Sequence, residues 1–473
     1  MTMSKPIRQH PLMMVLGFIE QLKSLVIPVA LFFLIDMLTG DSQGFRIIYI
    51  ILPMAFAGIG VLYAILQWIF YTYDYQDGVL YIRQGIFVKK LTTIKKARIQ
   101  TINIEAGIIH RMFKLVRLNI ETAGNLSDSE LAIKAMDKAS AYRLKSALEN
   151  ESLSDNTVEI EGYKVAADRL FFAGITSGGV GIIMLVMIGF ASQFIVLLPD
   201  HIWDNIFAQG AIVITLIVIL FVISSWFISI VRYVIRYAYF TIIKDHNEFN
   251  IKRGLIQQKL LSLKEHRIQS INIIEGLLRQ PFRFQAIEVD VAGGSAYKES
   301  TKTVTHPFIH RDELTDYFTY AFDDYQYEPK LNQLPKRALK RYLLRATLPF
   351  IVLIPVYVIY PVALWSLFLL IISWFWGYLK FKDAGFLLKD NQLKIRKRNV
   401  ARLTSFTKKE HIQSLYIKQN IFQKISHLAT LEIFVLSSPS AVKYIVRDLD
   451  INDAQDVLSW TRPKRNLKEV NES

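Results

Sequence analysis

Cysteine is absent from the 473 residues, which excludes disulfides, thiolate zinc sites, iron–sulfur clusters and cysteine nucleophiles together. Catalytic fingerprints are missing too. The chain has no HExxH pair, no P-loop, no GxSxG elbow and no dinucleotide-binding glycine pattern. His306 and His310 have the i, i+4 spacing of two ligands on a helix, but Pro307 lies between them and no third ligand accompanies them. No catalytic residue, metal or cofactor is therefore expected. Acid is the scarcer charge: 41 Asp and Glu stand against 56 Lys and Arg, a net charge of +15.

Charge is also missing locally. Ile47 to Phe70, Leu170 to Pro199 and Ile206 to Val231 carry none, and each exceeds the roughly 20 apolar residues that cross about 30 Å of hydrocarbon. With 52% hydrophobic residues and a mean hydropathy of +0.27, the chain reads as an integral membrane protein. Its basic excess then reflects the positive-inside rule and attraction to anionic lipid more than nucleic-acid binding. Lys5 and Arg8 precede the first apolar stretch without a small-residue cleavage site after Leu38, so this segment reads as retained.

What is present is a threefold internal repeat. RIQTINI from Arg98, RIQSINI from Arg267 and HIQSLYI from His411 are offset by 169 and 144 residues. The same offsets carry Leu118-Asn119-Ile120-Glu121 onto Ile287-Glu288-Val289-Asp290 and Leu431-Glu432-Ile433-Phe434, and Asp77-Gly78 onto the turn-like His246-Asn247 and Asp390-Asn391. Period-two alternation within each copy predicts short antiparallel strands. A polar helix closes each copy: Asp137 to Glu149, Arg311 to Phe322 and Asp450 to Trp460.

Apolar pairs precede the copies: Lys23–Leu38 with Ile47–Tyr71, Leu170–Pro199 with Ile206–Val231, and Ala346–Leu379 folded at Tyr360-Pro361. Basic residues flank the last block at Lys336, Arg337, Lys340, Arg341, Arg345, Lys380 and Lys382, and acidic Asp36, Asp41, Asp200 and Asp204 lie in the short loops. The expectation is three transmembrane hairpins, six spans in all, each followed by a β-rich cytoplasmic domain, with the N-terminus also cytoplasmic. His10-Pro11 to Lys23, Tyr163 to Arg169 and Leu334 to Arg345 read as interfacial helices or as extensions of the spans. The expected organisation is 1–72 N-terminal segment and hairpin 1, 73–150 domain 1, 151–238 linker and hairpin 2, and 239–323 domain 2; 324–380 linker and hairpin 3, 381–463 domain 3 and a polar tail at 464–473 follow.

The run KKARIQTINIEAGIIHRMFKLVRLNIETAGN from Lys95 resembles the bacterial pleckstrin-homology (PH) domains of the YdbS/YdbT type, and three such units resemble the YdbT-like branch of that family. The second copy follows through RIQSINIIEGLLRQPFRFQAIEVDVAGG; the third departs, with His411 for the Arg and Leu436-Ser437-Ser438 for Ala-Gly-Gly. The resemblance implies a bacterial cell-membrane protein. It also implies, for each unit, a bent, partly open seven-stranded barrel capped by a C-terminal helix, used as an interaction module. Fold alone does not give function.

Two groups of residues carry candidate binding. Lys89, Lys90, Lys95, Lys96 and Arg98, Lys252 and Arg253, and Lys394, Arg396, Lys397 and Arg398 are candidate anionic-lipid contacts or a solvated basic face. Further basic residues follow in the third copy at Arg402, Lys408 and Lys409. The motif residues Arg98, Ile99 and Gln100, Arg267, Ile268 and Gln269, and His411, Ile412 and Gln413 read as structural, with the glutamines as an alternative contact surface. Gly174, Gly178 and Gly181 fit internal helix packing or dimerisation. Gly293-Gly294 reads as a turn. The expected function is a non-enzymatic membrane scaffold whose partners are the lipid bilayer and another PH-domain membrane protein or a second copy. A sensor of anionic lipid or envelope stress is the alternative, and a transporter is less favoured because no charge sits in mid-span.

Overall fold

The computed structural model describes residues 6–22, 46–122, 132–149, 162–195, 211–245, 247–292, 302–354, 367–437 and 441–462. The chain forms two compact units, Met1–Glu161 with Asn250–Leu263, and Gly162–Phe249 with Lys264–Ser473.

Each repeat is four strands, a 3-10 turn, three strands and a closing helix. The first has β1 (Ile7–Arg8), β2 (Thr72–Gln76), β3 (Val79–Gln84), β4 (Lys90–Lys95), the turn Lys96–Arg98, β5 (Ile99–Ala106), β6 (Leu115–Thr122), β7 (Ala132–Asp137) and helix Lys138–Glu149. The second has β8 (Tyr163–Lys164), β9 (Thr241–Asp245), β10 (Glu248–Arg253), β11 (Gln258–Lys264), the turn Glu265–Arg267, β12 (Ile268–Glu275), β13 (Phe284–Val291), β14 (Lys302–His310) and helix Leu314–Ala321. The third has β15 (Asn332–Gln333), β16 (Gly385–Lys389), β17 (Gln392–Arg398), β18 (Arg402–Lys408), the turn Lys409–His411, β19 (Ile412–Lys418), β20 (Leu428–Val435), β21 (Val442–Asp450) and helix Ile451–Thr461.

Alternation places one face of every strand inward. In the first unit Leu80, Ile82, Ile94, Ile102, Ile104, Leu118 and Ile120 share one buried core, each contributing roughly 1.5–3 kcal/mol over exposure. Leu393, Ile395, Leu431, Ile433, Tyr444 and Val446 do the same in the third repeat. Asp77 and Gly78 both take positive φ, 49° and 75°, as the two-residue hairpin between β2 and β3 requires.

The repeated motif has a concrete structural job. Its first residue ends the 3-10 turn and its isoleucine starts the next strand. The strand register then skips one residue, between Ile99 and Thr101, Ile268 and Ser270, and Ile412 and Ser414. Gln100, Gln269 and Gln413 therefore sit at a β-bulge in all three copies, which bends the strand and raises its local twist. The chain leaves one sheet and enters the next at this point.

The expected six spans are not supported. Among the described residues one helix is long and apolar enough to cross a membrane, Thr215–Tyr237, or two if the bent pair Ala167–Ile175 and Val180–Gly189 forms one span. Leu170–Pro199 is not one straight helix: it breaks at Thr176–Gly179 and turns by 59°. The break has side-chain support. Trp226 Nε1 donates to the Ile175 carbonyl at 3.0 Å, and the Ser177 and Ser229 hydroxyls meet at 3.0 Å, so backbone released by the bend keeps a partner. A Cβ on Gly174 would meet Ile230 at 3.2 Å, whereas Gly178 and Gly181 have open space; Gly174 serves packing inside the chain.

In the expected first hairpin, Lys23–Leu38 lies outside the described residues, while Ile47–Tyr71 falls on helix Arg46–Phe70, whose described apolar stretch is Met54–Phe70. Ala346–Leu379 gives two shorter helices, Ala338–Val352 and Phe368–Asp383; Tyr360-Pro361 lies outside the described residues, as does Gly293-Gly294. Tight spots knit the latter helix pair: a Cβ on Gly377 would meet Ala346 Cβ at 3.2 Å, and Trp374 Nε1 donates to Thr347 at 2.9 Å.

Candidate interaction surface

Strand pairing between repeats has no counterpart in the sequence pattern. β5 of the first repeat pairs antiparallel with β11 of the second, Ile104 opposite Leu260 and Glu105 opposite Lys259. β12 of the second repeat pairs with β18 of the third, Ile273 opposite Thr404 and Glu275 opposite Arg402. Offsets of 169 and 144 residues carry Ile104 onto Ile273 and Leu260 onto Thr404, so the two junctions share one register. The second lies inside a seven-stranded sheet ordered β14-β13-β12-β18-β17-β16-β15. Among the described residues, two sheets end without such a junction. β4 is the outer strand of β1-β2-β3-β4 in the first unit, and β19 is the outer strand of β19-β20-β21 in the second.

Polar side chains seal both junctions. At the first, Asn103 donates to Glu121 at 3.1 Å and accepts from the Ser262 backbone at 3.3 Å. Lys145, from the closing helix, donates to the Ser262 hydroxyl at 2.6 Å. Lys259 pairs with Glu105 at 3.4 Å. At the second, Ser270 and Asn272 donate to the fully buried Asp290 at 2.7 and 2.6 Å, Tyr444 joins them, and Ser405 donates to Asn272 at 2.6 Å. Burial and the neighbouring Asp290 carboxylate hold the Tyr444 phenol protonated far above its ordinary range. Arg402 pairs with Glu275 at 3.0 Å.

The basic residues separate into two environments. Lys89, Lys90, Lys95 and Arg98 are exposed, and Lys96 donates to the Ala147 carbonyl. Phe87 and Val88, beside them, are 96% and 80% exposed. Lys252 is exposed and Arg253 buried. The third cluster is largely consumed internally. Lys394 is 1% exposed, donates to the Glu328 and Lys330 carbonyls, and lies 5.5 Å from the Phe406 ring; burial pushes its ammonium down to about 7. Arg398 pairs with Asp383 and donates to Gln280 at 2.6 Å; Arg396 donates to Thr404 at 3.0 Å; Lys397 lies over Tyr444. Of the later basic residues, Arg402 pairs with Asp383 at 2.9 Å, Lys408 with Asp324 at 2.8 Å, and Lys409 donates to the Arg462 carbonyl at 3.1 Å.

The motif's first position explains the third copy's departure. Arg98 is exposed, and Arg267 folds back on the Ala292 carbonyl at 2.7 Å. His411 Nδ1 meets the Gln269 carbonyl of the second repeat at 3.1 Å, so it donates there and ties the third repeat to the second. Ile99 and Ile268 are buried, Ile412 and Gln100 half-buried, Gln269 buried and Gln413 exposed. A cleft of about 610 Å³ surrounds this meeting point, lined in part by His266, Gln269, Tyr325, Lys408, Glu410 and His411. Burial pushes both imidazoles below their ordinary range, so they are neutral at neutral pH. Its charges neutralise one another, with Lys408 on Asp324 and Lys244 on Glu265. His306 and His310 lie on β14 and not on a helix: the first accepts from the Phe308 backbone at 3.3 Å, the second from Asp312 at 3.4 Å.

The sequence matches the family described as "Bacterial PH domain" over residues 23–152, 180–321 and 345–465. It is 32% identical to the transmembrane protein YdbT of Bacillus subtilis (strain 168) over 488 residues, covering 97% of this chain and 98% of that protein.

Proposed function

For a chain that belongs to the bacterial PH domain family, we propose a non-enzymatic scaffold, held in the cell membrane, whose repeats assemble with other β-domain proteins by strand addition. The observation that carries this is the twice-used strand junction in one register, with two outer strands left at the ends. Pairing through backbone hydrogen bonds is a general mode of protein recognition. Neutral, ion-paired groups at the cleft between the second and third repeats favour a joining role over a reactive one.

Helix Thr215–Tyr237 serves as anchor in this reading, with the bent pair as its second leg. The second β domain is fastened to the bent pair. Arg279 donates to the Ala173 carbonyl at 3.0 Å and Thr176 at 3.2 Å, at the bend, and Arg169 pairs bidentately with Glu313 at 2.8 Å. The β domains face the cytoplasm. A reporter cysteine at Lys89 is then shielded from an impermeant reagent in intact cells, and external labelling there overturns the orientation.

In-cell crosslinking followed by mild-detergent purification and mass spectrometry tests the scaffold. A near-stoichiometric second membrane protein with a similar β domain is expected; one anionic lipid enriched without any protein would remove the reading. That second outcome belongs to a lipid sensor, which is favoured by the exposed lysines beside Phe87 and Val88 in the first repeat. Unchanged liposome binding after charge reversal of Lys89, Lys90 and Lys95 would dismiss it.

A further inference from the structure

The turn between the fifth and sixth strands of each repeat is built to one plan. Offsets of 169 and 144 residues carry residues 108–114 onto 277–283 and 421–427. The third residue of this turn is held from below. His110 Nε2 meets the Lys134 carbonyl at 2.9 Å, Arg279 donates to the Ala173 carbonyl at 3.0 Å, and Gln423 donates to Asp448 at 2.8 Å. The last residue is Lys, Arg or His in left-handed backbone: Lys114, Arg283 and His427 have φ of 56°, 58° and 51°, a conformation unfavourable for a residue with a Cβ. Around this fixed frame apolar side chains turn outward. Ile108, Met112 and Phe113 are exposed in the first copy, and Leu277, Leu278 and Phe282 in the second. In the third, Ile421, Phe422 and Ile425 are 77%, 71% and 74% exposed. Clustered exposure of this kind marks a contact surface, as scattered single residues do not. Each internal junction adds a second apolar loop to it. Arg111 donates to the carbonyl of the exposed Leu255 at 2.7 Å, and Arg398 donates to Gln280 at 2.6 Å, two residues before the exposed Val400.

The second copy shows what covers these tips. Helix Thr215–Tyr237 is about 35 Å long at 1.5 Å per residue, more than the roughly 30 Å of hydrocarbon, so its last turn reaches the boundary with the headgroups. Tyr233 opens that turn, and the Arg279 guanidinium lies 5.6 Å from its ring. Arg279 also donates to Thr176 at 3.2 Å, at the bend that follows the exposed Phe171 and Phe172. The tip is thus pinned at the depth where a membrane changes from apolar to charged. We propose that these tips seat the β domains on the bilayer surface, with their apolar side chains among the upper acyl chains and the Lys, Arg and His side chains at their rims against anionic headgroups. This rests on the membrane anchor of the proposed function and not on strand addition. The three tips present Ile-Met-Phe, Leu-Leu-Phe and Ile-Phe-Ile, the same apolar bulk in three shapes. A lipid surface asks only for the bulk, whereas a protein groove asks for the shape.

Because the chain has no cysteine, it can carry one dye at a time in proteoliposomes of phosphatidylcholine and phosphatidylglycerol that hold no other protein. A dye on Leu278→Cys or Phe422→Cys should be quenched severalfold more by lipid spin-labelled near the headgroup than one on Gln413→Cys, an exposed site near the start of β19. It should also be shielded from aqueous iodide. These substitutions leave Arg279 and Gln423, which hold the turns, in place. Ile223→Cys, exposed in mid-helix, reports with lipid spin-labelled deep in the chain whether the anchor is inserted. Quenching at Ile223 with none at either tip would overturn the proposal and leave the anchor standing. So would equal quenching at Gln413, or a tip shielded from iodide but untouched by spin-labelled lipid, which would mean that protein covers it. Loss of the Ile223 signal as well would remove the anchor reading. Leaving out phosphatidylglycerol should lower the Phe422 response severalfold, and an unchanged response would overturn the role given to the basic rim.

Discussion

At the first junction the closing helix sends Lys145 to the Ser262 hydroxyl; at the equivalent position of the second junction Phe318 lays its ring 5.4 Å from Phe406, both fully buried. The backbone register is the same and the chemistry is not. A hydroxyl that accepts an ammonium in one place is replaced by an aromatic ring that excludes water in the other. Backbone pairing alone would let any earlier sheet join any later one, so these side chains fix which repeat follows which. The difference teaches that a duplicated domain keeps its order by diverging at the seams while its cores stay alike.

The comparison can be broken most severely at the aromatic seam. Phe406→Ala should cost about 3–5 kcal/mol, read as a fall in the denaturation midpoint of the second unit, whereas Ser262→Ala at the polar seam should cost only ~1 kcal/mol. Between them lies Tyr444→Phe, which removes one of three donors to Asp290 Oδ2 and should cost about 1–2 kcal/mol; equal stability would show the network to be dispensable. A separate effect is in pH. Burial lowers Lys394 from 10.5 to about 7, so between those values the unfolded chain binds the proton more readily. Stability of the third repeat should therefore rise as pH goes from about 7 to about 10, and Lys394→Met should flatten that rise in melting curves.

Much of the architecture was legible because it has a side-chain signature. Alternation at Leu80, Ile82 and Ile94 marks strands, and offsets of 169 and 144 residues align three of them. Pairing of β5 with β11 has no such signature, since main-chain groups are the same in every residue. The sequence leaves the glutamines structural or a contact surface; the bulge at Gln100, Gln269 and Gln413 is visible only in the register. Hydropathy measured the length of Leu170–Pro199 and missed its break, which depends on Trp226 and Ser229 from another helix. Charge in the third repeat read as a basic face because Asp383 and the Glu328 and Lys330 carbonyls, the partners of Arg398 and Lys394, are distant in sequence.

The β5–β11 pairing also has a cost in time. Ile104 meets Leu260, which is 156 residues later in the chain (260 − 104). At ~5–20 residues per second of synthesis, the ribosome delivers the second strand roughly 8–30 s after the first. A nascent first repeat thus waits with Ile99–Ala106 uncovered on one side, far longer than the microseconds a hairpin needs to form. Until the later strand emerges, that edge is an address any neighbouring nascent chain can read, and crowded ribosomes on one message would be the place where copies exchange strands.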